Sequence, residues 1–218
     1  MTSYPRSPRL IKGGIVLLDP KSGAILRVIA LQYNPDSLSR TLAVQAAGGE
    51  GDRLEAMRLK GPPTETIKLD AEIDATDQME FPEQNPVVGE FGIFPQLAAL
   101  ETIVYPTSAS LQVSNGLARA GTLEIAAAET ALTVFVWSKS RVMPVRITDF
   151  SITEEAFDPN LNPIRAKISL GMRVLSVSDL GFDHKGGGLF MAYLQNKEQL
   201  AARSAGAAFS TLGIGGIG

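Results

Sequence analysis

Carboxylates are the only reactive side chains that this sequence sets at a regular spacing. Asp70, Glu72 and Asp74 alternate with apolar residues, which on a β-strand places all three on one face at steps of about 7 Å. Glu154, Glu155 and Asp158 form a second cluster. A glycosidase needs only two carboxyl groups, and like charges this close would raise one pKa if buried. A small β-sandwich hydrolase acting on cell wall is therefore one reading. The other is a solvated or partner-facing polar edge. The second is favoured, because aromatic residues, the usual sugar platforms, make up only 6% of the chain.

Little else offers chemistry. The absence of cysteine removes disulfides, thiolate zinc sites and cysteine nucleophiles together. The single histidine, His184, follows Asp183 in a glycine-rich stretch and reads as solvated. No serine sits in a G-x-S-x-G elbow. The glycine clusters at Gly48–Gly51 and Gly186–Gly188 lack the Lys-Ser/Thr of a P-loop and the spacing of a dinucleotide fingerprint, and read as flexible hinges. The expectation is a protein with no catalytic residue, no cofactor and no metal.

The elements that hold these residues read mainly as strands. Leu10–Leu18 and Ile25–Tyr33 form a hairpin around the turn chemistry of Asp19 to Gly23. Ser37–Ala46 alternates, with Leu38, Leu42 and Val44 on one face and Arg40 as the exception. A long loop follows, carrying a short helix around Leu54–Leu59 and ending at Gly61 and Pro62. The next strand sets Ile67, Leu69, Ala71, Ile73 and Ala75 against Lys68, Asp70, Glu72 and Asp74. A helix begins near Pro95, with Leu97, Leu100 and Val104 at helical spacing, and stops at Pro106. Leu132–Ser138 is apolar on both faces, as a central strand would be. Arg141–Pro144 reads as the turn into Val145–Thr153, where the apolar phase slips and predicts a bulge near Thr148 and Asp149. Beyond the turn at Asp158–Pro163, Ile164 to Val174 alternate without a miss against Arg165, Lys167 and Arg173. The basic and acidic stripes suggest charged strand faces meeting across a sheet or across a subunit boundary; plain solubility of two exposed faces explains the spacing equally well.

With 218 residues the chain suits one domain with appendages, and a charge of −3 gives no support to nucleic-acid binding. No segment has the length or composition of a signal peptide or a spanning helix, so no membrane insertion and a cytoplasmic assembly are expected. After Ser178 the style changes. Leu189, Phe190, Tyr193, Leu194 and Leu200 put an apolar stripe on a helix that starts at the three glycines, and a Gly/Ala tail follows. The division expected is 1–178 as a β domain and 179–218 as a helical arm that reaches out to a neighbour, with Phe190, Tyr193 and Leu194 as contacts; a helix folded back on its own barrel is the alternative. The fold class is mainly β (α+β), a barrel or sandwich with one central helix plus that arm.

Three landmarks, in order, resemble one family. The segment from Leu31 through Tyr33, Asn34 and Pro35 to Arg40 is similar to the F-x-F-N-P-x-x-(Y/L)-S opening of the tube-type domain of contractile injection systems. Leu59 to Leu69, with Gly61 and Pro62, resembles the Gly-Pro turn and long strand that come next, and the strand's Asp-rich end to Asp77 also matches. Val134–Ser138 with Trp137, then Pro144–Thr148, then Ala156–Ala166 with Phe157, Pro159, Pro163 and Arg165 resembles the tryptophan strand, the crossover and the turn into the last strand.

The resemblance spans roughly residues 10–178. It implies a phage-tail-tube-like fold, a structural and not an enzymatic role, and a homohexameric ring. Such a ring joins the spike-hub protein to the inner-tube protein at the baseplate of a phage-tail-like particle, as a tube initiator. It also implies baseplate wedge or sheath components as further contacts. A repeating inner-tube subunit is the alternative within that class. Adaptors of the family often continue into a LysM module; this chain has the helical arm instead. Asp70, Glu72, Asp74, Arg165, Lys167 and Arg173 are the candidate inter-subunit charges.

Overall fold

The chain's first two strands form because apolar, β-branched runs flank a turn that holds itself. Asp19 accepts from the backbone N–H groups of Lys21 and Ser22, and Gly23 takes the φ of +68° that closes the loop. These are β1 (Gly14–Leu18) and β2 (Ile25–Ala30), paired antiparallel. The computed structural model describes residues 10–46, 57–121 and 130–217. The Gly48–Gly51 cluster and the first half of the helix expected at Leu54–Leu59 lie outside the described residues. Leu59 itself forms an isolated antiparallel bridge with Ala46.

The remaining strands are β3 (Ser39–Ala43), β4 (Thr64–Asp74), β5 (Leu132–Ser138), β6 (Arg141–Phe157) and β7 (Pro163–Val174). All seven join one antiparallel sheet in the order β2-β1-β5-β6-β7-β4-β3. A single sheet, not two stacked ones, is therefore the frame of this α+β fold. Alternation sorts its faces. Ala166, Ile168, Leu170, Met172 and Val174 of β7 are buried beside Ile67, Leu69 and Ala71 of β4, while Lys167 and Ser169 face outward. β5 is covered on both sides: Phe135 joins the main core, whereas Leu132 and Val134 join a second cluster with Leu18. The predicted bulge is present, with the β6–β7 register shifting between Ile147 and Asp149. Opposite it stands Gly171, where a Cβ would come within 2.7 Å of the Asp149 carboxylate.

Three expectations need correction. The turn before β6 lies at Lys139 and Ser140, and Pro144 sits inside the strand opposite Val134. Its carbonyl accepts from Leu175, one residue past the end of β7, so its peptide groups face the end of β7 and the missing N–H breaks no bond between β5 and β6. Among the described residues four helices, not one, lie between β4 and β5: α1 (Thr76–Met79), α2 (Pro86–Phe91), α3 (Phe94–Glu101) and α4 (Ser108–Arg119). The expected one is α3, which has proline in its first turn and buries Leu97 and Leu100 but ends five residues before Pro106.

The third correction concerns the arm. After α5 (Val177–Leu180), closed by a Ser176–Asp179 capping box, comes α6 (Lys185–Ala202). It packs on β6 of its own sheet, with Phe190 6% and Tyr193 2% exposed and Leu194 packed against the same core. These three residues face inward, not toward a neighbour. Nor do the glycines make a hinge. Gly186 and Gly187 are buried, and a Cβ on Gly187 would sit 1.9 Å from the Gly181 carbonyl oxygen. They let the helix start approach the preceding turn more closely than any other residue permits. His184, expected to be merely solvated, caps that start: its Nδ1 accepts from the Gly186 N–H at 3.0 Å. Among the described residues no helix is long and apolar enough to cross a membrane.

Candidate functional site

The acidic and basic stripes meet within one chain. β4 and β7 are neighbours, and their register sets Glu72 opposite Lys167 and Asp74 opposite Arg165. β6 then adds Thr153 beside Lys167 and Glu155 beside Arg165. Arg165 binds Asp74 through Nε and Nη2, both at 2.8 Å, and approaches Glu72 at 3.7 Å. Lys167 reaches diagonally to Glu155 at 2.8 Å. The stripes thus knit β4, β7 and β6 into a polar blade. Each pair is partly exposed and adds little stability by itself. Arg173 lies further along β7 and binds Asp179 at the start of α5 at 2.6 Å.

Electrostatics fix the charge of the blade. Hydrogen bonds from the Thr76 hydroxyl and backbone hold the Asp74 carboxyl below its ordinary range, with Arg165 adding to the effect against a small cost of burial. Hydrogen bonding to Asp74 raises Arg165, and hydrogen bonding to Glu155 raises Lys167. Asp74 is therefore an anion at neutral pH and has no proton to give as a general acid.

The blade also carries the longest unpaired strand edge among the described residues. β5 accompanies β6 only as far as Val145, so residues 146–157 are paired on the β7 side alone. The outer edge of β3 is likewise unpaired. On the outward face, Tyr33 to Ser37 border a shallow depression of about 730 Å³ with Asp70, Glu72 and Lys167.

The residues of the three sequence landmarks serve the frame. Asn34 ties the hairpin to the chain's start, its Oδ1 accepting from Gly13 and its Nδ2 donating to the Ile11 carbonyl. Tyr33 is half exposed, and Pro35 breaks the chain before β3. Gly61 and Pro62 lie just before β4, in a small cleft beside Arg173 and Asp179. Trp137 stacks on Phe135 with centroids 6.0 Å apart and covers Gly13. Phe157 closes β6 opposite Pro163, whose carbonyl accepts from Ile93 at the start of α3. Pro159 is exposed in the connecting turn, where Asp158 accepts from the backbone of Asn160 and Asn162.

Sequence reasoning missed a buried ionic cluster. Glu65 is 3% exposed and receives Arg40 at 2.6 Å, Lys197 at 2.9 Å and the Tyr193 hydroxyl at 2.9 Å. Lys197 also lies over the Tyr193 ring at 4.1 Å. Burial pushes the Glu65 carboxyl up, but hydrogen bonds from Lys197, Arg40 and Tyr193 outweigh it and hold the group below its ordinary range. Burial raises the Tyr193 phenol, so that it keeps its proton and donates. The signal was present: Arg40 and Glu65 each break the apolar phase of their strand, and those strands are neighbours.

The chain matches no known protein-family model, and no curated protein matches it.

Proposed function

We propose that this protein is a structural subunit that assembles with copies of itself into a ring at the baseplate end of a contractile injection particle, linking the spike-hub protein to the inner tube. The single observation that carries this reading is the edge of β6 along residues 146–157, unpaired among the described residues. A strand edge this long invites pairing with another chain, and one subunit adding its edge to the next around an axis closes into a ring. Among the described residues, the margin of the sheet at β3 offers a second free edge. The charged face of the blade supports the same reading, since its ion pairs are satisfied internally and leave the backbone edge as the group in need of a partner.

The six-fold number and the place at the baseplate come from the three sequence landmarks. The test is electron microscopy of the particle with this subunit labelled, beside mass measurement of the purified protein. A six-subunit ring at the tube's origin is the expected result. A monomer bound outside the sheath, or peptidoglycan hydrolysis by the purified protein, would overturn the proposal.

A further inference from the structure

β3, one of the two edges in the ring reading, is anchored by little of its own. It has five residues, and among the described residues it pairs only with β4. Ser39, Thr41 and Ala43 are exposed on one face and Leu42 on the other; Arg40 alone is not exposed. A strand without a buried apolar face has a weakly specified register, and a slip of one residue turns every side chain to the other face. Leu38, just before the strand, packs on the core, and Gln45, just beyond it, donates to the Thr64 hydroxyl. Between these two ends the inward hold is that of Arg40.

What holds Arg40 comes from elsewhere in the chain. Its Nε donates to Glu65 Oε1 at 2.7 Å, and its Nη2 donates to the Tyr193 hydroxyl at 3.0 Å. That hydroxyl donates in turn to Glu65 Oε1 at 2.9 Å. The three groups therefore close a triangle across β3, β4 and α6. A planar guanidinium meets a carboxylate and a phenol oxygen together only in a narrow range of orientations. Glu65 and Tyr193 are both buried, so a slipped Arg40 would leave them short of a partner away from water, which is costly. Lys197 takes the other Glu65 oxygen at 2.9 Å, so the carboxylate keeps one cation when Arg40 is removed. Buried ionic groups are poor stabilisers beside apolar ones, and their best-attested use is to fix register.

We propose that Arg40, Glu65 and Tyr193 are positioning residues through which α6 fixes the register of β3, and so sets the edge that a neighbouring copy meets. The helix that follows the β domain thus serves assembly from within its own subunit. The proposal deepens the ring reading and rests on it for the use of the β3 edge; the register is a property of the single chain.

Hydrogen–deuterium exchange of the full-length protein tests the register. Tyr193→Phe keeps the buried phenyl and removes the hydroxyl. Arg40→Ala acts at a side chain already 24% exposed and spares the core. Arg40→Lys keeps the charge without the fork. Exchange across residues 39–43 is expected to be several-fold faster in Y193F and faster still in R40A, with R40K between R40A and wild type. β7 should stay within about twofold of wild type. An unchanged β3 in either Y193F or R40A would overturn the proposal, and so would a β3 without protection in wild type. Equal acceleration of β3 and β7 in R40A would overturn it too, by making the cluster a general stabiliser. Mass measurement of the same samples reads the ring, which should close in wild type and fail in Y193F and R40A at the same concentration. A ring that closes equally well with β3 loosened defeats the link to assembly. A wild type that never closes defeats the ring reading and leaves the register to be decided by exchange.

Discussion

Replacing Glu65 by Gln keeps the shape of the side chain and removes the charge that Arg40 and Lys197 share. The wild-type carboxylate is almost fully buried, while the Arg40 and Lys197 side chains are 24% and 35% exposed. Breaking a buried ion pair from one side costs about 3–5 kcal/mol. Both cations lie at the rim and can turn toward water, so about 2–3 kcal/mol is expected. For a domain of this size each kcal/mol moves Tm by about 2–4 °C, which gives a drop of about 4–12 °C. The pH dependence has a definite sign. Glu65 has a depressed folded pKa, so its contribution is present above the unfolded value near 4.3 and is lost as pH falls through the folded one. Urea unfolding at pH 7 should show the full gap between wild type and E65Q, and the gap should narrow below about pH 4.3. Replacing Arg40, Glu65 and Lys197 together by apolar residues of similar size should cost less than E65Q alone, because no charge is stranded. An E65Q variant within about 0.5 kcal/mol of wild type at pH 7, or a gap unchanged in acid, would refute the argument.

Gly187→Ala should weaken or unseat α6, read as lost helicity or a lower Tm, because its Cβ would meet the Gly181 carbonyl. Gly188→Ala, with nothing within 4 Å, should instead raise stability by about 0.5–1 kcal/mol; equal effects would restore the hinge reading. The Gln32 side chain donates to the Asp74 carbonyl at 2.6 Å and accepts from the Asp74 N–H at 2.9 Å, so Gln32→Ala removes both bonds and should cost about 1–3 kcal/mol in urea unfolding. Glu154→Pro should leave a folded monomer by circular dichroism yet abolish the ring by mass measurement, since the Glu154 N–H points away from β7 and Pro is tolerated there.

The sequence made the hairpin, the bulge at Thr148 and the alternation of β4 and β7 readable because each is a local pattern of period two. What it hid was register between strands far apart in the chain. Nothing in the spacing of Asp70, Glu72 and Asp74 told whether Arg165 and Lys167 would meet them in the same subunit; adjacency of β4 and β7 did. Gly186 and Gly187 were misread for the same reason. Glycine before a helix is equally consistent with a hinge and with close packing, and only the Gly181 carbonyl decides between them. The contact of Gln32 with Asp74 was invisible, because it joins parts of the chain from opposite ends of the sheet.

The balance of satisfied and unsatisfied groups says how this surface recognises a partner. Asp74, Glu155, Arg165 and Lys167 spend their charges on one another, so deleting any one of them frees its partner to water at little cost. Among the described residues, the peptide groups along the outer edge of β6 have no such internal outlet. Natural sheets shield long edges with proline, lysine, a bulge or a covering loop; from Arg146 to Phe157 the chain places neither residue, and its bulge lies at the near end, between Ile147 and Asp149, leaving 150–157 without one. An edge left in this state favours partners that present backbone in register over partners that present a particular side chain. Assembly built in this way tolerates wide change in side chains and fails at substitutions that remove an N–H, which is why proline, and not alanine, is the probe that separates a scaffold edge from a catalytic face.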